Sequence, residues 1–226
     1  MEVTITDVTR MREPSVCVAG VSGDRTVRLS DPQPNDMCLK SLGGLVPGDV
    51  ISLSLLPIKG ATPPHKEDSE WSSVSRLGRL TEAELVEILR PRAYDSVIDA
   101  LGRPSALGSG GNGGFPPRRG SRSLASIIVE SVKVYPHFEG IRVDFTDRRG
   151  SWTRVPFQDL LVRTHQRSCS VCRAGLAGVL ARELCGGGAL LRVGLSRPFS
   201  TPQHPPLCWL QVNHIFLTPS RRKHFV

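Results

Sequence analysis

Between Val50 and Leu56 the apolar residues Ile51, Leu53 and Leu55 alternate with Ser52 and Ser54, the two-residue period of a half-buried strand. The first third of the chain repeats that texture. Val3 to Val8, Val16 to Val21, Arg25 to Leu29 and Asp49 to Pro57 are each predicted to be strands. Ser22-Gly23-Asp24 supplies a tight hairpin between the second and third, and Pro47-Gly48-Asp49 turns the chain into the fourth. A small antiparallel barrel or sheet is the economical product of such short, turn-separated strands.

Around Thr81 the period lengthens. Thr81 and Glu84 form a capping box, Leu85, Ile88 and Leu89 make one apolar face, and Pro91 ends the run. A second short helix is predicted over Ala93 to Leu101. Gly108 to Gly120 is rich in glycine and proline and reads as a flexible loop between two halves. Strand texture then returns over Ala125 to Tyr135, Ile141 to Thr146 and Ser151 to Phe157, with Asp147-Arg148-Arg149-Gly150 as a hairpin tip. Ala174 to Cys185 suits a helix stopped by Gly186-Gly187-Gly188, and Ala189 to Leu195 and Leu207 to Leu217 close the pattern as strands.

Composition narrows this picture. With 22 glycines and 18 prolines in 226 residues, turns and short strands are favoured over long helices. No apolar run is long enough to span a membrane and the first residues lack the character of a signal peptide, so a cytoplasmic protein with no membrane partner is expected. Its six cysteines then read as reduced thiols or metal ligands rather than disulfides. The net charge of +8 favours a polyanionic partner.

Several segments carry a resemblance. Thr9-Arg10-Met11 precedes Val16-Cys17-Val18-Ala19-Gly20; Val27-Arg28-Leu29-Ser30 and Pro64-His65-Lys66-Glu67-Asp68 follow. Gly194-Leu195-Ser196-Arg197-Pro198-Phe199 and Cys208-Trp209-Leu210-Gln211-Val212-Asn213-His214 lie near the end. Together they resemble the dual OB-fold-containing family, small bacterial proteins proposed to bind nucleic acid and often found near defence genes. The resemblance implies a duplicated small barrel. It brings no catalytic signature.

Candidate chemistry falls into three groups. His165, Cys169 and Cys172, with Cys185 beyond, have part of the spacing of a structural zinc site, the only cofactor the residues suggest; unligated thiols are the alternative. His65, Glu67 and Asp68 offer an imidazole and two carboxylates, either for metal-dependent hydrolysis or as a hydrogen-bonded clasp. The broadest signal is basic: Arg118, Arg119 and Arg122 beside the loop, Arg148, Arg149 and Arg154 around a hairpin, Arg163, Arg167 and Arg173 along the following loop, and a tail at Arg221-Arg222-Lys223. If these converge they would track phosphates while an exposed Trp152, Phe157 or Tyr135 stacks a base. Arg10 and Arg197 either meet a ligand in a shared groove or tie the two halves together.

The expectation is therefore a mostly β protein with minor α content. Residues 1–70 form a first OB-like barrel, 71–122 a helical and Gly-rich connector, 123–220 a second barrel and 221–226 a basic tail. Its expected function is non-catalytic binding of nucleic acid, single-stranded DNA or RNA before duplex. A protein-interaction adaptor and a metal-dependent nuclease or hydrolase are the alternatives. The sequence leaves the oligomeric state open.

Overall fold

The computed structural model describes residues 1–58, 61–108, 111–166, 170–184 and 188–217. The expected strands of the first third form as β1 (Glu2–Arg10), β2 (Val16–Ser22) and β3 (Arg25–Asp31). A helix that the alternation does not announce follows, α1 (Asp36–Ser41), capped where the Asn35 side chain accepts from Cys38 N. After it come β4 (Asp49–Pro57) and a fifth strand, β5 (Asp68–Arg79). Most of β5 is exposed, and Trp71 and Val74, its apolar residues on the barrel core, stand three apart, so it carries no two-residue alternation to read. The five close a barrel in the order β1-β2-β3-β5-β4, with β3 and β5 parallel. This is the connectivity of an OB-like barrel, and it extends past residue 70 to Arg79.

A connector links the two halves through α2 (Glu82–Leu89), a 3-10 turn at Arg90–Arg92 and α3 (Val97–Leu101). The Thr81–Glu84 capping box is present, and Pro91 falls in the 3-10 turn where α2 ends. Far from hanging between the barrels, α2 is wedged into them. Leu85, Val86 and Leu89 are buried with Val21 of the first barrel and with Leu190 and Phe216 of the second half.

The Gly-rich stretch is likewise partly built in. It contributes β6 (Ala106–Leu107) and β7 (Gly113–Phe115). A Cβ on Gly113 would lie 2.7 Å from the Trp152 ring, and one on Gly114 would lie 2.8 Å from Leu207, so glycine is what lets this strand lie flat on the core. The flexible-loop expectation is corrected here for residues 113–115, which are buried.

The second half supplies β8 (Leu124–Val129), β9 (Ser131–His137), β10 (Gly140–Asp147), β11 (Gly150–Pro156), α4 (Leu160–Gln166), α5 (Ser170–Glu183), β12 (Ala189–Leu195), β13 (Phe199–Thr201) and β14 (His204–Leu217). β8 and β9 act as one bent strand: β8 pairs with β12, and β9 with β10. β10 pairs with β11, and β12 with β14. A parallel bridge from Phe157 to Val212 joins the end of β11 to β14. The pairing order of the first barrel thus recurs, with α4 and α5 where α1 stood, but between two sheets that this bridge links rather than in one closed sheet. β7 adds to β14 outside this circuit.

Two β-bulges prepare the contact between the barrels. In β1 the register with β2 slips between Ile5 and Asp7, so Val3, Ile5 and Val8 all enter the barrel core while Asp7 faces outward. In the second barrel the slip between Arg192 and Val193 is matched by the extra residue Asn213. Asp7 and Arg192 meet there, fully buried, at 2.8 Å. Asp7 also accepts from Thr6 Oγ1 and Asn213 Nδ2, and Arg192 donates to Ser126 Oγ. Burial alone would raise the Asp7 carboxyl, but Arg192 and these donors hold it below the usual carboxylate range. Among the described residues no helix is long and apolar enough to cross a membrane.

Replacing only one partner leaves a charge buried and uncompensated. Arg192→Met should therefore lower stability by about 3–5 kcal/mol, and the Asp7→Leu, Arg192→Met double replacement should recover a large part of that loss, as measured by urea denaturation.

Candidate functional site

An OB-like barrel presents ligands with the face of its second and third strands, flanked by the loops joining strands one to two and four to five. In the first barrel that face is β2–β3. A cavity of about 450 Å3 lies on it, lined by Met11 and Arg12 of the first loop, Cys17 of β2, and Arg28, Leu29 and Ser30 of β3. The second barrel closes its far wall with Gln158, Arg163, Arg197 and Phe199. Among the described residues lining this cavity are five arginines, at 10, 12, 28, 163 and 197, and no carboxylate.

The equivalent face of the second barrel, β10–β11, carries its own cavity of about 500 Å3. Phe138 and Glu139 come from the loop between its first two strands, Arg142 and Arg154 from the face itself, Phe199 from β13 and His204 from the start of β14. Phe199 lines both cavities, so the two grooves meet at its ring. Aromatic surface is concentrated here. Phe138 is 80% exposed and sits 4.2 Å from the His137 ring; Phe199 is 50% exposed and sits 6.3 Å from Trp209, which His204 approaches at 5.6 Å.

Carboxylates set the roles of the arginines. Arg10 pairs with Asp36 at 2.9 Å. Arg28 and Arg197 share Asp68, at 2.5 and 2.7 Å, across the junction of the barrels. Arg10 and Arg197 serve both roles the sequence allows them: each side chain lines the groove and each holds an acid. Arg142 pairs with Glu139. Arg148 and Arg149 pair instead with Asp95 and Asp99, pinning the β10–β11 hairpin to the connector, and line neither groove. Arg122 lies 4.9 Å over the Tyr94 ring, Arg118 lines a third cavity beside His65, and Arg119 is exposed. Arg167 and the basic tail at 221–223 lie outside the described residues.

Trp152 requires a correction. Its ring is buried between Phe115 and Phe145, and its indole N–H donates to Asp147 at 2.9 Å, so no base can stack on it. Phe157 is buried as well, and Tyr135 donates its hydroxyl to Asp144. The rings that are free to stack, Phe138 and Phe199, lie at a hairpin tip and at the start of the three-residue strand β13, where no periodicity marks them. Phe199 closes the quoted Ser-Arg-Pro-Phe segment, which was the one signal available.

The hydrolase candidates are also spoken for. Glu67 accepts from Ser123 N, Ser123 Oγ and Leu124 N, clasping the first barrel to the first strand of the second. Asp68 holds Arg28 and Arg197; burial pulls its carboxyl upward, but the two guanidiniums outweigh this and keep it below the usual range. His65 is buried 3.9 Å from Cys208 Sγ, with its pKa pushed down to about 3 by burial and then by Arg28 and Arg197. Burial pushes the Cys208 thiol up, so the pair is a neutral imidazole beside a neutral thiol and not an activated nucleophile. Of the proposed zinc ligands, Cys169 and Cys185 lie outside the described residues, His165 falls in α4, and Cys172 is exposed on α5.

No family model matches the chain, and no curated protein does. Among solved structures it is similar to a murine DNA binding protein bound with double-stranded DNA, at 11% identity and a TM-score of 0.35, covering 96% of this chain and 98% of that one. It is also similar to the p204 HINb domain, at 14% identity and a TM-score of 0.37 over 94% and 95% of the two chains. The tetrameric p202 HIN2 domain is 13% identical, with a TM-score of 0.32 over 96% and 90%. Likenesses this distant carry no weight for function.

The depressed His65 makes stability fall with acid. Between its ordinary value of 6.5 and about 3 the unfolded chain takes a proton that the folded chain refuses. Stability should then drop by roughly 1 kcal/mol per pH unit from about pH 6 to pH 5, before the paired carboxylates begin to titrate. In His65→Leu that slope should vanish in denaturation curves recorded across the window.

Proposed function

We propose that this chain binds single-stranded nucleic acid along the two joined grooves and performs no chemistry on it. The observation that carries this reading is that the strand-two and strand-three face of each barrel carries a cavity and that Phe199 lines both. Arginines without enough carboxylate to neutralise them supply phosphate contacts, and the exposed Phe138 and Phe199 rings supply stacking surface. That combination is the one sequence-tolerant strand binders use. A duplex would keep its bases stacked on each other, out of reach of the two rings, which is why a single strand is favoured. The family resemblance adds that the chain would serve as a cytoplasmic accessory module of a bacterial defence or mobile-element system.

Fluorescence anisotropy with labelled single-stranded DNA, single-stranded RNA, duplex DNA and heparin, each at about 50 and 200 mM salt, tests this. Strands should bind above duplex and heparin. Phe138→Ala and Phe199→Ala should each weaken strand binding about 10-fold, the scale of one lost stack. The Arg148→Ala, Arg149→Ala double variant, outside both grooves, should change it by less than about 3-fold, since only long-range, screened charge is lost. Tightest binding to heparin, or ring variants indistinguishable from the parent, would sink the reading.

A further inference from the structure

Arg163 is the one groove arginine whose surroundings work against its charge. It projects from α4, whose first turn is capped by Asp159, Oδ1 accepting from Leu161 N and Val162 N. That carboxylate is directed elsewhere: its other oxygen meets His214 Nδ1 at 2.6 Å. Among the described residues no acid is paired with Arg163, and its Nε is buried without a hydrogen-bond partner. A single long contact, 3.5 Å to the Glu139 carbonyl, is its recorded bond. Its charged neighbours include three cations, two of which already hold an acid, Arg10 with Asp36 and Arg142 with Glu139, neither of them shared with Arg163. After burial, Arg142, Arg10 and Arg173 are what push its guanidinium below the ordinary arginine value. Arg173 in turn has a buried Nε without a partner, and its Nη1 donates to the His137 and Phe138 carbonyls.

Like charges gathered around a partly buried, unsatisfied donor cost folding energy unless something negative enters. The location says what that is. Arg163 lines the cavity between the barrels together with Arg10 and Arg12, with no carboxylate on its wall, and the backbone around it belongs to both barrels. Arg10 N donates to Gln158 O, and Gln158 N donates to Val212 O of β14.

We propose that Arg163, with Arg10 and Arg12, forms a seat for one phosphate group at the seam of the barrels. Resting on the strand-binding reading, this phosphate belongs to the backbone of the strand as it passes from the first groove to the second. A guanidinium fork offers the two parallel donors that a phosphate oxygen pair accepts, which an ammonium does not. The same chemistry would also hold a free phosphate group.

The test compares the full chain with Arg163→Gln. Removing one cation from a cluster of cations should leave the melting temperature in chloride unchanged or higher, which separates a lost seat from a damaged fold. Inorganic phosphate should raise the melting temperature of the parent above that in chloride at equal ionic strength, and should do so less in Arg163→Gln. Strand affinity should fall about 10-fold for every sequence, and the slope of log affinity against log salt should flatten by about one phosphate contact. If phosphate stabilises in an Arg163-dependent way but no strand binds, the seat stands for a free phosphate group and the strand reading falls. If phosphate has no specific effect and Arg163→Gln keeps the parent's affinity and salt slope, the seat is overturned, and the ring variants decide the strand reading separately.

Discussion

The buried pair of Asp7 and Arg192 makes two small barrels into one surface. Each charge sits where water cannot reach it, so any docking of the barrels that failed to bring the two together would strand both, at several kcal/mol apiece. The apolar wedge of α2 supplies attraction without direction, since Leu85, Val86 and Leu89 can slide against Val21, Leu190 and Phe216 at little cost. The ion pair supplies the registry. Glu67 on Ser123 and Leu124, and Asp68 between Arg28 and Arg197, add two more polar fasteners along the same junction. Because these contacts are directional, the β2–β3 face of one barrel and the β10–β11 face of the other are held against a common residue, Phe199. The groove follows from how the barrels are tied.

Much of the barrel framework was legible from alternation alone, because strands such as β4 and β10 bury one face and expose the other. β5 was not, since its exposed polar residues are held by backbone pairing to β3 and β4, and backbone pairing leaves no mark on side-chain pattern. The fully buried strands β1 and β12 were found as strands, but their two-sidedness was hidden. Thr6, Asp7 and Arg192 look like solvent-facing positions in a one-dimensional pattern, and it takes a second barrel on that face to bury them. The duplication itself has no residue-level repeat; it lives in the order of strand pairing, which many sequences can satisfy.

The site was legible in kind more than in place. Arginine richness announced a polyanion, and the Thr-Arg-Met and Ser-Arg-Pro-Phe segments did converge on one cavity. Trp152 sits in an alternating strand, where only the partner layer decides which face is core; here Phe115 and Phe145 enclose it. Phe138 sits at a hairpin tip and Phe199 opens β13, a strand too short to show a period, so each is distinguishable from an ordinary exposed residue only once a groove is seen beside it. His65, Glu67 and Asp68 illustrate the opposite error. Three polar residues in a row suggest chemistry, yet burial between two domains gives each a partner or neutralises it.

Charge pairing sorts the arginines more sharply than exposure does. Arg148 and Arg149 are exposed but matched by Asp95 and Asp99, so their field beyond the connector is largely cancelled. Arg163 is less exposed, yet its charge is matched by no described acid and is reinforced by Arg10, Arg142 and Arg173. Carboxylates that might have neutralised it are committed to the junction: Asp159 to the start of α4 and to His214, and Asp68 to Arg28 and Arg197. The same fastening that aligns the grooves therefore consumes the acids near the seam and leaves positive charge concentrated where the grooves meet. A polyanion drawn to this protein by its net charge of +8 would meet, beside the junction of the barrels, a guanidinium that no described acid neutralises.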